Sequence, residues 1–504
     1  MSHRIAVVKR ETIVIAGATG FVGHAVAARL AERFDVVGLT RGRTDQEGAW
    51  NRLVACDLFS LKDVEQAVEG ATYVAYLVHS MLPSARLVQG SFADLDLICA
   101  DNMGRAAAKA GVKQIVYLGG LMPPESDHDI SKHLESRREV ERALGAHGTP
   151  VTTLRAGMVV GPHGSSFEIL TKLVDHLPAM LLPAWTEHRC QPIDLDSVAA
   201  LVDYCAGRAS TLNQTYDIGG PDILRYRDMI AIVGEVMRGK ARPALPVPFM
   251  TPRLSRLWVS LVTGAPKALV KPLIESLRHD MLARDRRLQD AAGIPGVSFR
   301  DAVSRALLAQ RSDDATPHAY KRAPRTRATG VRSVQRVHLP QGATAEWAAH
   351  EYMRWLPHGA WPPVRVEVDE NDRDARFYLV GTHEPLLELR FASDRSGKDR
   401  QLFYVTGGVL AKKTVRGRLE FRATPAGDEL LTAIHEFEPR LPWFIYRWTQ
   451  ALFHAWVMAR FGRHLAETKL PVVRLASDVV RDGASVARGA DDHRGRHHGQ
   501  RDQR

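Results

Sequence analysis

The chain has 504 residues, an apolar fraction of 45% and a charged fraction of 25%, which is typical of a globular protein with more than one core. Its net charge of +11 is scattered, and no recognition-helix or zinc-finger pattern accompanies it, so a nucleic-acid partner is disfavoured. The four cysteines lie far apart, which argues against a disulfide framework or a metal site and favours a reducing, cytoplasmic location.

The chain starts with a short apolar run that is predicted to be a strand, since it lacks the long apolar core and cleavage site of a signal peptide. From Thr12 to about Leu308, β-branched runs alternate with helical segments, as in a parallel sheet with crossover helices. Residues 1–309 are therefore predicted to form an α/β domain with a Rossmann-like, doubly wound parallel sheet, whose substrate-side region begins near residue 160. The predicted strands are residues 12–17, 36–40, 73–78, 114–119 and 151–160.

The first strand runs directly into a loop that contains Gly17, Gly20 and Gly23, and a helix follows at once. Such glycines allow a tight turn, the approach of a pyrophosphate and close packing of helix on strand. The first N–H groups of the helix and the helix dipole then favour phosphate binding. This context predicts a dinucleotide site, to which Thr19, Phe21 and Val22 also contribute.

The end of the second strand predicts which dinucleotide is bound. NAD-preferring sites usually place an acid there, whereas this chain has Thr40, Arg41 and Arg43. A guanidinium can bind a 2′-phosphate through two hydrogen bonds. NADP(H) is therefore the predicted cofactor and NAD(H) the second choice; the alternative is that both arginines are solvated loop residues.

Residues after the third and fourth strands are predicted to complete the cofactor site. Asp57, followed by Leu58, is placed to meet the adenine edge. Leu77, Val78 and His79 end the fourth strand and are predicted to border the path of the ribose and nicotinamide.

Five motifs occur in the order found in extended and atypical short-chain dehydrogenase/reductases, which the chain resembles over roughly residues 12–310. The resemblance is closest to the NmrA-like NAD(P)-binding branch, and it extends to bacterial proteins grouped with NDUFA-type accessory subunits of respiratory complex I. The motifs are GATGFVG (17–23), CDL (56–58), RAGMVVGP (155–162), PIDLDSVA (192–199) and YDIGGPD (216–222).

The stretch SKHLESRREVE, residues 131–141, lies where active members of that superfamily carry Tyr-x-x-x-Lys. One register puts His133 at the Tyr position and Arg137 at the Lys position, and the other pairs Lys132 with His128. An imidazolium donates a proton near neutral pH, so His133 is a candidate acid and Arg137 a candidate ligand of ribose hydroxyls. The alternative is an ordinary polar helix face. The superfamily's upstream Ser is replaced by Gly119, Gly120, Leu121 and Met122.

Two later features are ambiguous. Arg189 is predicted either to bind an anionic group or to form a structural ion pair. Residues 250–277 are apolar with scattered basic residues. They fit a cap over the substrate pocket, contact with a membrane surface, or packing between domains.

Residues 310–330 have almost no large apolar residues and are predicted to be a linker. Residues 331–476 are predicted to form a second, α+β domain, and residues 477–504 a disordered tail. The second domain resembles helix-grip, START-like proteins, and the QLFYVTGGVLA and RGRLEFR stretches are similar to an uncharacterised bacterial domain fused to an NAD(P)-binding domain.

The predicted closing helix, at about 441–466, is too polar to span a membrane. Its aromatic residues are predicted either to line an apolar cavity or to fill the core. His435 and Glu436 point to opposite faces of a strand, which disfavours a joint catalytic role. The aromatic residues concerned are Trp443, Phe444, Tyr446, Trp448, Phe453 and Trp456.

Three functional hypotheses follow. The first is an NADP(H)-binding atypical short-chain oxidoreductase that reduces a carbonyl, enone or quinone-like apolar substrate. The second is a non-catalytic NADP(H)-responsive sensor or assembly factor. The third is a lipid carrier with a vestigial nucleotide domain. The predicted partner is a small apolar or amphipathic molecule, with peripheral membrane contact left open; the sequence does not specify the oligomeric state.

Overall fold

The computed structural model describes residues 10–42, 44–79, 87–123, 130–177, 179–247, 252–264, 277–313, 330–360, 363–412 and 416–470. Arg43, most of the predicted linker and the predicted tail lie outside the described residues. So does much of the segment 250–277.

Seven parallel strands of the described N-terminal residues form one sheet. They are β1 (Thr12–Ala16), β2 (Asp35–Thr40), β3 (Arg52–Ala55), β4 (Tyr73–Tyr76), β6 (Gln114–Gly120), β7 (Val151–Ala156) and β12 (Thr215–Ile218). Their spatial order is β3-β2-β1-β4-β6-β7-β12. This order is that of a Rossmann-like doubly wound sheet, and it confirms the predicted fold class.

Helices cover both faces of this sheet. The helices α1 (Phe21–Leu30) and α6 (Leu195–Cys205) pack on the face that carries Ile13. The helices α2 (Leu61–Val68), α3 (Phe92–Ala110) and α4 (Lys132–Gly145) pack on the face that carries Val14. Because side chains alternate along a strand, a strand buried on both faces has the continuous apolar run seen in the sequence.

A second core covers the carboxyl end of the sheet. Buried residues such as Phe167, Val233 and Phe299 form it. The helices of this region are α5 (Ser165–His176), α7 (Tyr226–Arg238), α8 (Pro252–Thr263) and α10 (Phe299–Asp313), whereas α9 (Arg287–Ala292) packs against α6 on the face of the main sheet that carries Ile13. Its short strands are β8 (Val159–Val160), β9 (Met180–Pro183), β10 (Arg189–Cys190), β11 (Ile193–Asp194), β13 (Leu224–Arg225) and β14 (Ala244–Val247).

The C-terminal residues form a separate antiparallel sheet. Its strands are β15 (Val331–His338), β16 (Val364–Val368), β17 (Ala375–Leu379), β18 (Pro385–Phe391), β19 (Arg400–Gly407), β20 (Arg418–Ala423) and β21 (Glu429–Phe437). The strands run in the order β16-β17-β18-β19-β20-β21-β15. One strand of the N-terminal part, β5 (Leu87–Gln89), extends the sheet by pairing in parallel with residues 331–333.

The helices of this domain are α11 (Ala345–Gly359), α12 (Trp443–Trp448) and α13 (Gln450–Glu467). Tyr352 of α11 packs against Phe421 of the sheet and Phe461 of α13, with ring centroids 5.1 and 5.0 Å apart. The predicted second α+β domain, an antiparallel sheet with a closing helix, is thus confirmed as a fold class. Its resemblance to START-like proteins stays a prediction.

Three local predictions are corrected. The closing helix is interrupted at Thr449, whose backbone is not helical, so two helices replace one. The strand predicted over 151–160 divides into β7 and β8. The aromatic residues of the closing segment are not all internal: Tyr446 is buried, whereas Phe444 and Trp448 are each 69% exposed.

Several residues that the sequence left open have structural roles in the fold. The four cysteines are buried and free. Arg189 forms an ion pair with Asp280, with Nε and Oδ2 2.9 Å apart, which favours the structural role. His435 is buried and Glu436 is partly exposed, as alternation predicts. Across the described part of the chain, no helix is both long enough and apolar enough to cross a membrane.

The two domains meet at helix α3, through a layer of buried charge. Arg422 of β20 forms ion pairs with Asp101 of α3 and with Glu420 of its own strand, and the side chains of all three are at least 93% buried. It also donates to Asn102 Oδ1 at 2.7 Å. Arg336 of β15 contacts Asp94 of the same helix at 2.7 Å. These buried polar groups make the contact between the domains specific. Each loses its bound water on burial and is stable there only beside its hydrogen-bonding or oppositely charged partner.

Arg422→Ala tests this interface. We expect the free energy of unfolding to fall by about 3–5 kcal/mol, because Asp101 and Glu420 lose a buried counter-charge. Guanidinium denaturation of the full chain measures the change. Arg354→Ala, which breaks an exposed pair with Asp372, is the control and should have no measurable effect. Equal stability of the Arg422 variant and the control would contradict the proposed role.

Candidate active site

The glycine loop has the geometry that its sequence predicts. Gly17 has φ +89°, a conformation that favours glycine, and Gly20 precedes the first residue of α1. A Cβ on Gly23 would lie only 2.1 Å from the Gly17 carbonyl oxygen, so only glycine fits there. Gly20 has no side chain to cap the helix, which leaves the first N–H groups of α1 available to an anion.

The residues between the glycines contribute differently. Thr19 is partly exposed in the loop. The Phe21 ring lies against Gly161 and Gly164, where an added Cβ would be 3.0 Å from it. Val22 packs on the core of the sheet. Thr19 thus lies in the loop itself, while the contacts of Phe21 and Val22 fix the start of the helix.

Arg41 and Asp57 follow neighbouring strands. Thr40 pairs with Ala55, and the Cys56 N–H donates to the Thr40 carbonyl at 2.9 Å. Arg41 is exposed at this edge. Asp57 Oδ1 accepts from the Phe59 N–H at 3.2 Å, and Oδ2 forms an ion pair with Arg332 of the second domain, a partner that the sequence did not reveal.

Leu58 is buried, so its side chain belongs to the core; its carbonyl accepts a hydrogen bond from Asn102 at 2.9 Å. Leu77 and Val78 approach the glycine loop. A Cβ on Gly17 would be 3.3 Å from the Leu77 carbonyl oxygen and 3.4 Å from the Val78 side chain. The ends of β1 and β4 therefore meet at the predicted cofactor path.

A cluster of four polar side chains lies beyond the ends of β4 and β6. His79 Nδ1 is 2.9 Å from Asp96 Oδ2, and Asp96 is buried on α3. The rings of His79 and His133 are 4.9 Å apart. Two buried nitrogens in the cluster, His79 Nε2 and Arg137 Nε, have no hydrogen-bond partner among the described residues. They are oriented groups that a ligand could use.

The charge states of this cluster differ from those expected from sequence. Burial, the Arg137 guanidinium and His79 lower the pKa of His133 to about 3. Burial and Arg137 lower the pKa of His79, against the opposing effect of Asp96. These shifts favour neutral imidazoles near pH 7 and so argue against an imidazolium donor at His133, whose role as an acid stays a prediction. With Asp96 as a carboxylate, which can only accept, the hydrogen bond between them puts the proton of His79 on Nδ1 and leaves a lone pair at Nε2.

Asp96 is the member of this cluster that sequence reasoning missed. Its only signal is a carboxylate among apolar residues of a buried helix, which by itself does not name a partner.

An apolar cavity of about 80 Å³ lies between α5, α7 and α8. Met158, two residues beyond the end of β7, is part of its wall, and so is Val259 of α8. The opposite side of α8 exposes Leu261, which is 81% accessible. The described part of the segment 250–277 thus covers this cavity. The other lining residues include Leu170, Leu173, Trp185 and Tyr226.

Comparison with known proteins agrees with this geometry. Residues 13–185 match the NAD dependent epimerase/dehydratase family. Auxiliary protein GraX of Staphylococcus aureus is 32% identical over 149 residues, which cover 29% of this chain and 43% of GraX, less than half of its length. Sanguinarine reductase of Eschscholzia californica is 26% identical over 211 residues, covering 34% of this chain and 77% of that enzyme.

Two solved structures are similar over more than half of the chain. The NADPH-dependent quinone oxidoreductase of Escherichia coli, complexed with NADPH, is 18% identical and covers 58% of this chain and 99% of its own, with a TM-score of 0.47. The Citrobacter triphenylmethane reductase, complexed with NADP(H), is 17% identical with the same coverage and score. A likeness at this score says nothing about this chain's substrate.

Residues 13–185 of the chain are therefore similar to NAD-dependent domains of the epimerase/dehydratase type. This result confirms the predicted class of cofactor, a nicotinamide dinucleotide, and supports the resemblance to atypical short-chain dehydrogenase/reductases. The match ends at residue 185, before the second domain.

The neutral state of His133 predicts a particular pH dependence of stability. The unfolded chain takes up a proton at about pH 6.5, but the folded chain does so only near a pKa of about 3. Between these values the unfolded state binds more protons, so stability falls with falling pH, by at most about 1.4 kcal/mol per pH unit for this group.

His133→Asn should therefore make the loss of stability below about pH 6.5 shallower, as measured by denaturation at a series of pH values. His383→Asn is the control, at an exposed histidine in the loop between β17 and β18, and should leave the slope unchanged. Identical slopes for the wild type and His133→Asn would show that His133 is protonated in the folded state.

Proposed function

We propose that this protein is an NADP(H)-dependent reductase of apolar carbonyl, enone or quinone-like compounds. The observation that carries the proposal is the cluster of His79, Asp96, His133 and Arg137 beside the glycine loop. Ligands of open α/β sheets bind outside the carboxyl ends of the strands, where this cluster lies. The name of the related sanguinarine reductase supports reduction as the type of reaction.

The cofactor assignment rests on the two ends of the nucleotide path. The N-terminus of α1 holds the pyrophosphate, since its first N–H groups are uncapped. Arg41, exposed at the end of β2, binds the 2′-phosphate, which favours NADP(H) over NAD(H). When bound, the dinucleotide supplies a hydride.

The cluster suits reactions in which an oxygen of the substrate becomes negative. Arg137 stabilises that charge, because its guanidinium stays protonated and its Nε is buried and available. His79, whose tautomer Asp96 fixes, accepts a hydrogen bond at Nε2 from the water that supplies the final proton. Neither imidazole is charged, so the final proton comes from water. This requirement favours quinones and enones, whose reduced anions are weakly basic, over simple ketones.

The apolar cavity supports an apolar substrate. Its described lining contains one serine, Ser166, among aliphatic and aromatic side chains. Apolar surface favours a ring system over a sugar or an acid.

A non-catalytic NADP(H) sensor is the second candidate, and one observation favours it. The second domain contacts Asp57, the residue proposed to meet the adenine, through Arg332. Binding of the nucleotide could thereby alter the interface, as in a sensor. The lack of Tyr-x-x-x-Lys in residues 131–141 is compatible with either candidate.

Titration of the purified protein with NADPH and NADH, followed by fluorescence, is the first test. We expect NADPH to bind more tightly, and we expect NADPH oxidation with quinone or enone acceptors. Arg137→Met should lower kcat by about 10²–10³-fold, as the removal of an oxyanion-stabilising group does.

Arg142→Met is the matched control, an exposed arginine on the same helix. NADPH binding without turnover on carbonyl, enone and quinone panels would support the sensor. Failure to bind either nucleotide would reject both candidates.

A further inference from the structure

We propose that Arg332, a residue of the second domain, sets the preference of the N-terminal domain for a 2′-phosphorylated nucleotide. It does so by neutralising Asp57. This inference rests on the proposed NADP(H) function and deepens it: part of the coenzyme specificity lies outside the nucleotide-binding domain.

Arg332 is held firmly in place. Its backbone belongs to the short parallel pairing between residues 331–333 and β5. Its side chain is 7% exposed, and its guanidinium carbon lies 4.0 Å from the centre of the Phe59 ring. The ion pair with Asp57 Oδ2 completes its position. A surface arginine would be solvated, whereas this one is held against the loop that follows β3.

Two other residues of the second domain fix the same loop. Arg418 donates to the Phe59 carbonyl at 2.8 Å, and the His435 ring lies 6.2 Å from the Phe59 ring. Residues 57–59 are thus held by β15, β20 and β21 together. The conformation of this loop depends on the second domain.

The consequence is electrostatic. Asp57 and Arg41 follow paired strands, so an unneutralised Asp57 would repel a doubly negative phosphate bound at Arg41. The ion pair with Arg332 offsets the negative charge of Asp57 beside the end of β2. With Arg332 present, the local charge favours the extra phosphate of NADP(H).

A double-mutant cycle tests the proposal in the full chain, with NADPH and NADH titrated separately. Arg332→Ala should weaken NADPH binding about tenfold and NADH binding much less, because only the former carries the 2′-phosphate. Asp57→Asn should keep the preference for NADPH. Arg332→Ala combined with Asp57→Asn should also keep it, because no carboxylate remains to be neutralised.

Arg418→Ala is the control for a purely structural effect. It releases the same loop without touching Asp57, and should change both affinities by the same factor. Arg332→Lys keeps a positive charge and should retain the NADPH preference. It replaces the alanine variant in the test if Arg332→Ala fails to fold.

An equal loss for both nucleotides in Arg332→Ala would overturn the proposal. A loss of preference that persists in the Asp57→Asn background would overturn it as well. In either case the proposed reductase would stand if the wild type binds NADPH and turns over. Failure of the wild type to bind either nucleotide would instead reject the proposed function itself.

A separate observation carries a second inference. Four large apolar side chains spaced four residues apart are exposed on α12 and α13, and we name them the aromatic stripe: Phe444 (69%), Trp448 (69%), Leu452 (52%) and Trp456 (40%). We propose that the aromatic stripe docks on the surface of an anionic lipid bilayer.

The positive charge around the aromatic stripe indicates that its binding partner is an anionic surface. Residues 439–463 contain four arginines and no aspartate or glutamate. Arg460 lies over the Trp456 ring, 4.7 Å from its centre. Tryptophan and arginine together are typical of segments that lie in a membrane interface, whereas a self-complementary contact between two such surfaces would oppose like charges. The helices in the described residues are unsuited to span the bilayer, so the contact is peripheral.

Flotation of the full-length protein with lipid vesicles tests this surface. Binding to phosphatidylcholine vesicles that contain phosphatidylglycerol should be at least about tenfold stronger than binding to phosphatidylcholine alone, and should weaken with salt. Phe444→Ala with Trp448→Ala should abolish it. Leu379→Ala, at an exposed apolar residue of β17, should not.

No binding to either vesicle, or binding that the double variant retains, would overturn the proposal. The proposal would also be overturned if analytical ultracentrifugation showed a dimer of the wild type that the double variant fails to form, while vesicle binding stays unchanged.

Discussion

Three buried carboxylates on helix α3 determine how the two domains pack together and how the candidate active site is oriented. Asp94, Asp96 and Asp101 of α3 are each at most 6% exposed. A carboxylate can be buried only with hydrogen-bond donors or counter-charges, so each one determines what packs beside it. Asp94 and Asp101 form ion pairs with arginines of the second domain, and Asp96 forms a hydrogen bond with His79 at the candidate active site. The same helix therefore fixes the domain interface and orients the cluster beside the cofactor path.

This arrangement explains why the second domain bears on the nucleotide site although the family match ends at residue 185. Strand β15 reaches α3 through Arg336 and the loop after β3 through Arg332. A domain docked at two such points cannot move away from one without disturbing the other. Both candidate functions, reductase and sensor, would depend on this docking. They would differ in whether the bound dinucleotide meets an acceptor or changes the interface.

The sequence is sufficient to predict those structural features that patterns of neighbouring residues determine. The buried strands, the glycine loop and the helix after it are encoded by adjacent residues, and so were found. The ion pair of Asp57 with Arg332 joins residues that are 275 positions apart, and no local pattern carries that information. Asp96 was overlooked because a single acid in a helix normally faces water. The exposed Phe444 and Trp448 were assigned to the interior because aromatic residues are usually buried, a rule that surfaces specialised for binding break.

The charge state of the histidine cluster could not have been read from residue types either. His133 aligned with a tyrosine suggests an acid if its pKa stays near 6.5, but in the fold burial and Arg137 lower that pKa to about 3. The same burial makes Arg137 more effective, because a positive charge acts more strongly where water is excluded. Under the proposed function, the site would rely on electrostatic stabilisation by Arg137 rather than on a proton donor. Such a site suits an acceptor whose reduced form tolerates a transient negative charge, and this physical reason places quinones and enones ahead of ketones among the candidate substrates.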